Sequence, residues 1–192
     1  MNIKINPAHW ALLIMITCLL SACNIVWGLK HYVPPEGSNL GIEFDYPKKW
    51  EWVYQPESSM IYAFEPGKPQ YTFGDIPTSA DAGKIDIRVG IYASVEIMEE
   101  RIKSWREATE AIGGEVLEDK AIMIDSVSAR WISRRIPARP KYNPDYDVYS
   151  IVVIMYENHI LYDLYLETSF EERDGEFVKD FTKMISTIEF VP

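Results

Sequence analysis

The sequence predicts an α+β fold, an α-β-α sandwich in which a central, mostly antiparallel sheet of six or seven strands carries helices on both faces. Three observations favour this fold. Short segments in which apolar and polar residues alternate, as in strands, recur along the chain. Two longer segments carry an apolar stripe at helical spacing. Two late segments, VYSIVVIMYE and HILYDLYLE, have no polar face, so both sides of the sheet must be covered there.

Residues 1–22 have the pattern of a lipoprotein signal peptide. Lys4 gives a weakly basic start, and the uncharged apolar run WALLIMITCLL follows it. The next motif, Leu20-Ser21-Ala22-Cys23, resembles the bacterial lipobox. This resemblance implies that a diacylglyceryl group is attached to the Cys23 sulfur and that the chain is cut after Ala22.

Apolar residues continue past this motif, which leaves an alternative open. Trp10 to Leu29 is 20 residues, long enough for a helix that spans a bilayer, and the basic Lys30 follows. The alternative is therefore an uncleaved transmembrane signal anchor. Under either interpretation the domain is attached to the cell membrane on its extracytoplasmic side, facing the periplasm or the cell surface.

Residues 23–40 are predicted to be the lipidated cysteine and a tether, and residues 41–192 the folded domain. Pro34-Pro35 and the nearby glycines are typical of a linker. The alternation predicts strands at 42–46, 50–55, 60–64 and 85–91, with a long proline- and glycine-rich loop over 65–83. Ser94 is expected to cap the first helix, and Gly113-Gly114 to end it.

Two further strands are predicted at about 115–124 and 127–136, followed by the polar loop PARPKYNPDYD. The two apolar strands come next, and Asn158 marks a tight turn between them. The last helix is expected to begin near Thr168 or Ser169, and residues 189–191 to form an edge strand. The buried stripe of that helix is predicted to be Phe170, Phe177, Phe181, Met184, Ile185 and Ile188.

Two stretches resemble PsbP-type domains. GIEFDYPKKWEWV resembles their opening, where an aromatic strand leads into Tyr-Pro-x-x-Trp, and the segment from Val148 to Phe190 resembles their ending. Small DcrB-like bacterial lipoproteins are similar. The resemblance extends from Gly41 to Val191. It implies an α-β-α sandwich around an antiparallel sheet and a mostly non-enzymatic role, such as the partner binding of the photosystem II extrinsic subunit.

The composition argues against several classes of function. The formal net charge is −10, whereas nucleic-acid binding favours basic surfaces that release counterions. The two cysteines, Cys18 and Cys23, both precede the domain, which leaves it without thiol chemistry or cysteine metal ligands. His159 is the only histidine of the domain and His31 lies in the tether, and no zinc-type spacing or Ser-His-Asp set includes them. We therefore expect a protein that is not an enzyme and has no cofactor and no metal.

One local cluster runs against the acidic charge. Basic residues are concentrated over residues 130–141, next to several tyrosines, and arginine and tyrosine are favoured in protein interfaces. We hypothesise a partner-binding loop; the alternative is a solvated hairpin whose charges pair with nearby acids. The candidate residues of the loop are Arg134, Arg135, Arg139, Lys141 and Tyr142.

Together these patterns predict a membrane-anchored, extracytoplasmic binding or assembly protein without catalytic activity. Its partners would be the membrane, through the anchor, and an unknown protein. The alternative is a carrier of a small ligand or lipid, with a cavity between sheet and helix formed by the many aromatic residues.

Overall fold

The computed structural model describes residues 28–38, 40–55, 60–64, 84–91, 93–138 and 146–191. Over these ranges the chain forms strands and two α-helices, which confirms the α+β class. The strands are β1 Leu29–Tyr32, β2 Ile42–Pro47, β3 Glu51–Gln55, β4 Met60–Phe64, β5 Lys84–Ile91, β6 Glu115–Ile124, β7 Val127–Ile136, β8 Val148–Glu157, β9 Ile160–Ser169 and β10 Glu189–Phe190. The helices are α1 Val95–Ala111 and α2 Glu176–Ile185.

Seven strands form one antiparallel sheet in the order β3-β4-β5-β9-β8-β7-β6. β8 and β9 lie inside this sheet, and every residue of β8 from Val148 to Met155 is buried. Asn158 and His159 join the two strands in a two-residue turn, with φ of 48° and 65°. Such left-handed turns match the twist of antiparallel strands, so the predicted hairpin is confirmed.

The two helices lie against opposite faces of this sheet. Ile102 of α1 packs against Ile132, Val152 and Ile154. The odd-numbered residues Ile151 and Val153 of β8 face α2, where they pack with Phe181, Met184 and Ile185. The alternation along β8 thus divides the interior into one cluster for each helix.

α1 begins and ends where the sequence predicts. The Ser94 hydroxyl accepts a hydrogen bond from the amide of Ile97 at 3.4 Å, which caps the helix. At the other end Gly113 has a φ of 70°, a left-handed conformation that glycine adopts without steric cost.

α2 begins at Glu176, so the predicted start near Thr168 or Ser169 is wrong. β9 continues through both residues because Val148 and Tyr149 of β8 still pair with them. A 3-10 turn over Phe170–Glu172 separates the strand from the helix. Phe170 therefore lies outside the helical stripe, whereas Phe181, Met184 and Ile185 are buried in it as predicted.

The predicted tether is also wrong in part, because residues 29–32 form β1. This strand pairs with β2, and β10 pairs with the other edge of β2, so the chain has a second, three-stranded sheet. Tyr32 stacks on Phe44 with ring centroids 4.8 Å apart, and Leu40 is buried. The short strand is held by this aromatic contact as well as by its ladder.

β1 also shortens the segment available for a membrane span. Leu29 pairs with Pro47 in the ladder, so it does not belong to a helix that begins at Trp10. The uncharged stretch from Trp10 to Trp27 is 18 residues long, still within the usual length of a transmembrane helix, and it lies outside the described residues. Within the described ranges, neither α-helix is long and apolar enough to cross a membrane.

His31 joins β1 to β2 through two carboxylates. Its Nδ1 lies 2.9 Å from Asp45 Oδ1, and its Nε2 lies 3.1 Å from Glu43 Oε2. The hydrogen bond to Asp45, and next the one to Glu43, raise the pKa of His31 above its ordinary value of 6.5. Protonated His31 thus donates to both acids and ties the edge strand down.

We expect the β1–β2 ladder to be more stable in acid than in base. A raised pKa in the folded state means that the contribution of His31 is complete below pH 6.5 and is lost as the pH rises through the raised pKa. Amide hydrogen exchange of β1, corrected for its intrinsic pH dependence, measures this directly. In His31→Gln, which does not titrate, protection should not vary over the same range; a wild-type protein with equally flat protection would contradict the prediction.

Candidate functional site

The structure describes two of the five residues predicted to form a partner-binding loop. Arg134 and Arg135 are neighbours on β7, so their side chains point to opposite faces of the sheet. Arg139, Lys141 and Tyr142 lie outside the described residues, as does Cys23.

Arg134 is buried beneath α1, which corrects its assignment to an exposed loop. Only 8% of the residue is exposed, and its guanidinium carbon lies 4.1 Å from the centre of the Trp105 ring. Its Nε donates to Ser150 Oγ and its Nη1 to Thr109 Oγ1, each at 3.1 Å. A guanidinium that is stacked and hydrogen-bonded in this way joins the helix to the sheet and is not available to a partner.

Further ion pairs attach α1 to the same face. Arg101 donates to Asp163 Oδ2 at 2.7 Å through Nε, and Asp163 is buried. Arg106 of α1 and Arg130 of β7 both pair with Asp119. Burial acts to raise the pKa of Asp119, but hydrogen bonds from Arg130 and Arg106 outweigh it and hold the pKa below its ordinary value.

Arg135 points the other way and is 45% exposed along its side chain. Its guanidinium carbon lies 4.7 Å from the centre of the Phe170 ring, and that of Arg173 lies 4.6 Å from the same centre. Tyr149 meets this ring edge-on at 6.4 Å. We call Arg135, Asp147, Tyr149, Phe170 and Arg173 the Phe170 cluster.

Asp147 fixes the geometry of the Phe170 cluster. Its Oδ2 accepts from Arg135 Nε at 2.6 Å, and its Oδ1 accepts from the amide of Ala138 at 2.8 Å. Its carbonyl oxygen accepts from the amide of Phe170, also at 2.8 Å. The bond from Ala138, followed by that from Arg135, lowers the pKa of Asp147. Asp147 therefore connects the two sides of the 139–145 segment through its carboxylate, and it holds the turn after β9 through its carbonyl oxygen.

The Phe170 cluster has the side chains of a binding surface. Two half-exposed guanidiniums are held on an aromatic ring, and arginine and aromatic side chains of this kind dominate protein interfaces. Across the described part of the chain, no group of three histidine, cysteine, aspartate or glutamate side chains is placed to hold a metal ion.

Phe170 and Arg173 were not predicted as part of this site, because Phe170 was assigned to the helical stripe. The register of the β8–β9 hairpin could have revealed this site. A hairpin that turns at Asn158 and His159 places Ser169 beside Val148, which brings Phe170 next to Asp147. The burial of Arg134 could also have been predicted from the sequence. It alternates in step with Ile132 and Ile136 on β7, so its side chain lies on the same face of the sheet as theirs.

Apart from the Phe170 cluster, the structure has a cleft of about 440 Å³ between the β1–β2 hairpin and α2. Three lysines and three carboxylates line it, together with residues where the chain joins the domain. Its charged lining differs from the aromatic cavity expected of a ligand carrier. Between sheet and α2, the space is filled by side chains such as Trp50 and Phe181, which are fully buried. The charged residues are Lys48, Lys49, Lys183, Asp45, Glu176 and Asp180.

No family model matches the chain, and no curated protein matches it in sequence. Solved structures do match. Cyanobacterial PsbP (CyanoP) from Synechocystis sp. PCC 6803 aligns with a TM-score of 0.55 and 13% identity, over 85% of this chain and 93% of that one. The Ran-binding protein Mog1p of Saccharomyces cerevisiae aligns at 0.52 and 10%, over 85% and 95%. LpqN of Mycobacterium tuberculosis, involved in cell envelope biogenesis, aligns at 0.50 and 12%, over 85% and 92%.

The chain therefore has a PsbP-like fold, the fold to which its sequence motifs pointed. The same architecture is found in a bacterial protein involved in cell envelope biogenesis and in a yeast Ran-binding protein, at identities that show the fold alone.

Arg134→Glu should lower the free energy of unfolding by about 3 kcal/mol or more, because it places an unpaired carboxylate under α1 and removes the contacts to Trp105, Thr109 and Ser150. Urea unfolding measures the loss. Arg135→Glu makes the same change of charge at the exposed neighbouring position, and it should cost less than about 1 kcal/mol. Equal losses in the two variants would show that Arg134 does not join helix and sheet.

Proposed function

We propose that the protein is a membrane-anchored, extracytoplasmic binding or assembly protein without catalytic activity, and that it binds a protein partner through the Phe170 cluster. The observation that carries this proposal is the pair of exposed guanidiniums of Arg135 and Arg173 on one aromatic ring. Two stacked arginines offer planar donors to a partner while losing little side-chain freedom on binding.

The position of the Phe170 cluster supports the proposal. The cluster lies at the base of the 139–145 segment, whose sequence contains Arg139, Lys141 and Tyr142. Those residues would extend the same basic and aromatic surface. Arg135 pairs with Asp147, and Asp174 lies 3.6 Å from Arg173, but each guanidinium keeps N–H donors for a partner because it has more donors than one carboxylate accepts.

The fold also supports a binding role. The proteins with matching structures include a Ran-binding protein and a protein involved in cell envelope biogenesis. Because one fold serves such different proteins, the role of this chain depends on its own surface residues, for which we propose the Phe170 cluster.

The proposed lipid anchor is supported by the resemblance of Leu20 to Cys23 to a lipobox. We expect Cys23→Ala to abolish incorporation of labelled fatty acid and to leave the signal segment uncleaved. Metabolic labelling and the mass of the membrane-bound protein measure both effects. Cys18→Ser changes the other cysteine and should preserve labelling and cleavage. A Cys23→Ala protein that still carries label would show that the lipobox assignment is wrong.

We expect the double variant Arg135→Glu/Arg173→Glu not to crosslink to the proteins that the wild-type chain captures in intact membranes. Charge reversal replaces two donors with acceptors at the centre of the proposed surface. The measurement is crosslinking in living cells, solubilisation in mild detergent, and quantitative mass spectrometry of the captured proteins.

Lys103→Glu serves as the matched control, since Lys103 is highly exposed and lies on α1, across the sheet from the α2 layer. It should retain every partner that the wild-type chain captures. Capture that survives in the double variant would exclude the Phe170 cluster as the binding surface. A wild-type chain with no specific crosslinks would contradict the binding function as a whole.

A further inference from the structure

We infer that the domain rests on the lipid headgroups with one defined side, the side of the β1–β2 hairpin and α2, so that α1 faces away from the membrane. This inference rests on the proposed membrane anchor. It adds a second contact surface, whose partner is the headgroup layer of a membrane that contains anionic lipid.

The point where the chain joins the domain is fixed. The carbonyl oxygen of Gly28 accepts a hydrogen bond from the amide of Lys48, and the next residue, Leu29, pairs with Pro47 in the ladder. Gly28 and Leu29 both line the charged cleft beside α2. The segment that leads from the anchor therefore enters the domain at this cleft, through residues that are hydrogen-bonded to β2.

The link between anchor and domain is short. Five steps along the chain separate Cys23 from Gly28, which reach about 17 Å when fully extended. Three of the four residues between them, Ile25, Val26 and Trp27, are apolar and favour the membrane interface. The cleft must therefore lie within that distance of the lipidated residue.

The thickness of the domain exceeds this reach. β2 lies in the same layer as α2, because Ile42 and Phe44 belong to the buried cluster that includes Phe181. The seven-stranded sheet comes next, and α1 covers its far face. Layers about 10 Å apart place α1 about 20 Å from β2. The link is too short to pass around these layers and bring α1 to the membrane.

The charges of the two sides agree with this orientation. α1 has five glutamates, one lysine and two arginines, a net charge of −2, and both arginines are paired with aspartates of the sheet, Asp163 and Asp119. The cleft has three lysines and three carboxylates, which balance. Its Lys48 is exposed, and Lys30 on β1 adds a further exposed cation nearby. Anionic headgroups repel the α1 side and tolerate the cleft side, over roughly the first 10 Å from the surface.

Lipid-proximity quenching tests the orientation. The full chain, purified from membranes, is reconstituted into vesicles of phosphatidylethanolamine and phosphatidylglycerol. An environment-sensitive fluorophore is attached at Lys48→Cys in one sample and at Lys103→Cys in the other. The parent sequence, treated with the same fluorophore, sets the background from the native cysteines. Both sites are exposed lysines, one beside the cleft and one on α1.

Nitroxide-labelled headgroups should quench the fluorophore at position 48 several-fold more than the one at position 103. A soluble quencher should give the reverse order. Flotation with the vesicles is measured first, and a chain that does not float overturns the anchor and the orientation together. A chain that floats but shows equal quenching at both positions overturns the orientation alone.

Discussion

Strands β8 and β9 lie in the interior of the sheet and need cover on both faces. A strand with eight consecutive buried residues exposes no polar side to water, and each large apolar side chain buried there contributes roughly 1.5–3 kcal/mol. One layer could not protect both faces. The chain therefore places α1 on one side and α2 with a small second sheet on the other. The remaining strands extend the two central ones outward.

The two covering layers are attached by different chemistry. On the α2 side the contacts are apolar and aromatic, with Trp50, Phe44 and Phe181 fully buried. On the α1 side, Ile102, Met98 and Trp105 provide apolar contacts, and ion pairs and the stacked Arg134 add directional ones. Directional contacts of this kind specify the position of a helix, whereas apolar packing mainly supplies stability.

Local signals in the sequence predicted most elements of the large sheet and the limits of α1. Alternation, the Ser94 cap and the turn at Asn158 act over a few residues and do not depend on the rest of the fold. The misplaced elements depend on distant partners. β1 has few apolar residues and forms because β2 offers a ladder and Tyr32 finds Phe44. β9 extends to Ser169 because β8 pairs with it there. The Phe170 cluster depends on that register as well, so only Arg135 of its basic residues was predicted.

The pairing of Leu29 with Pro47 has a mechanical consequence. These residues form the open end of the β1–β2 hairpin, and the chain continues from Leu29 toward the proposed anchor. A force on the anchor, directed perpendicular to the strands, acts on the Leu29–Pro47 pair first. The pairs of Lys30, His31 and Tyr32 then open in turn. Strands opened in this order separate at low force, because one rung bears the load at a time. The hairpin would thus lengthen the link by several residues under tension, while the seven-stranded sheet behind it stays folded.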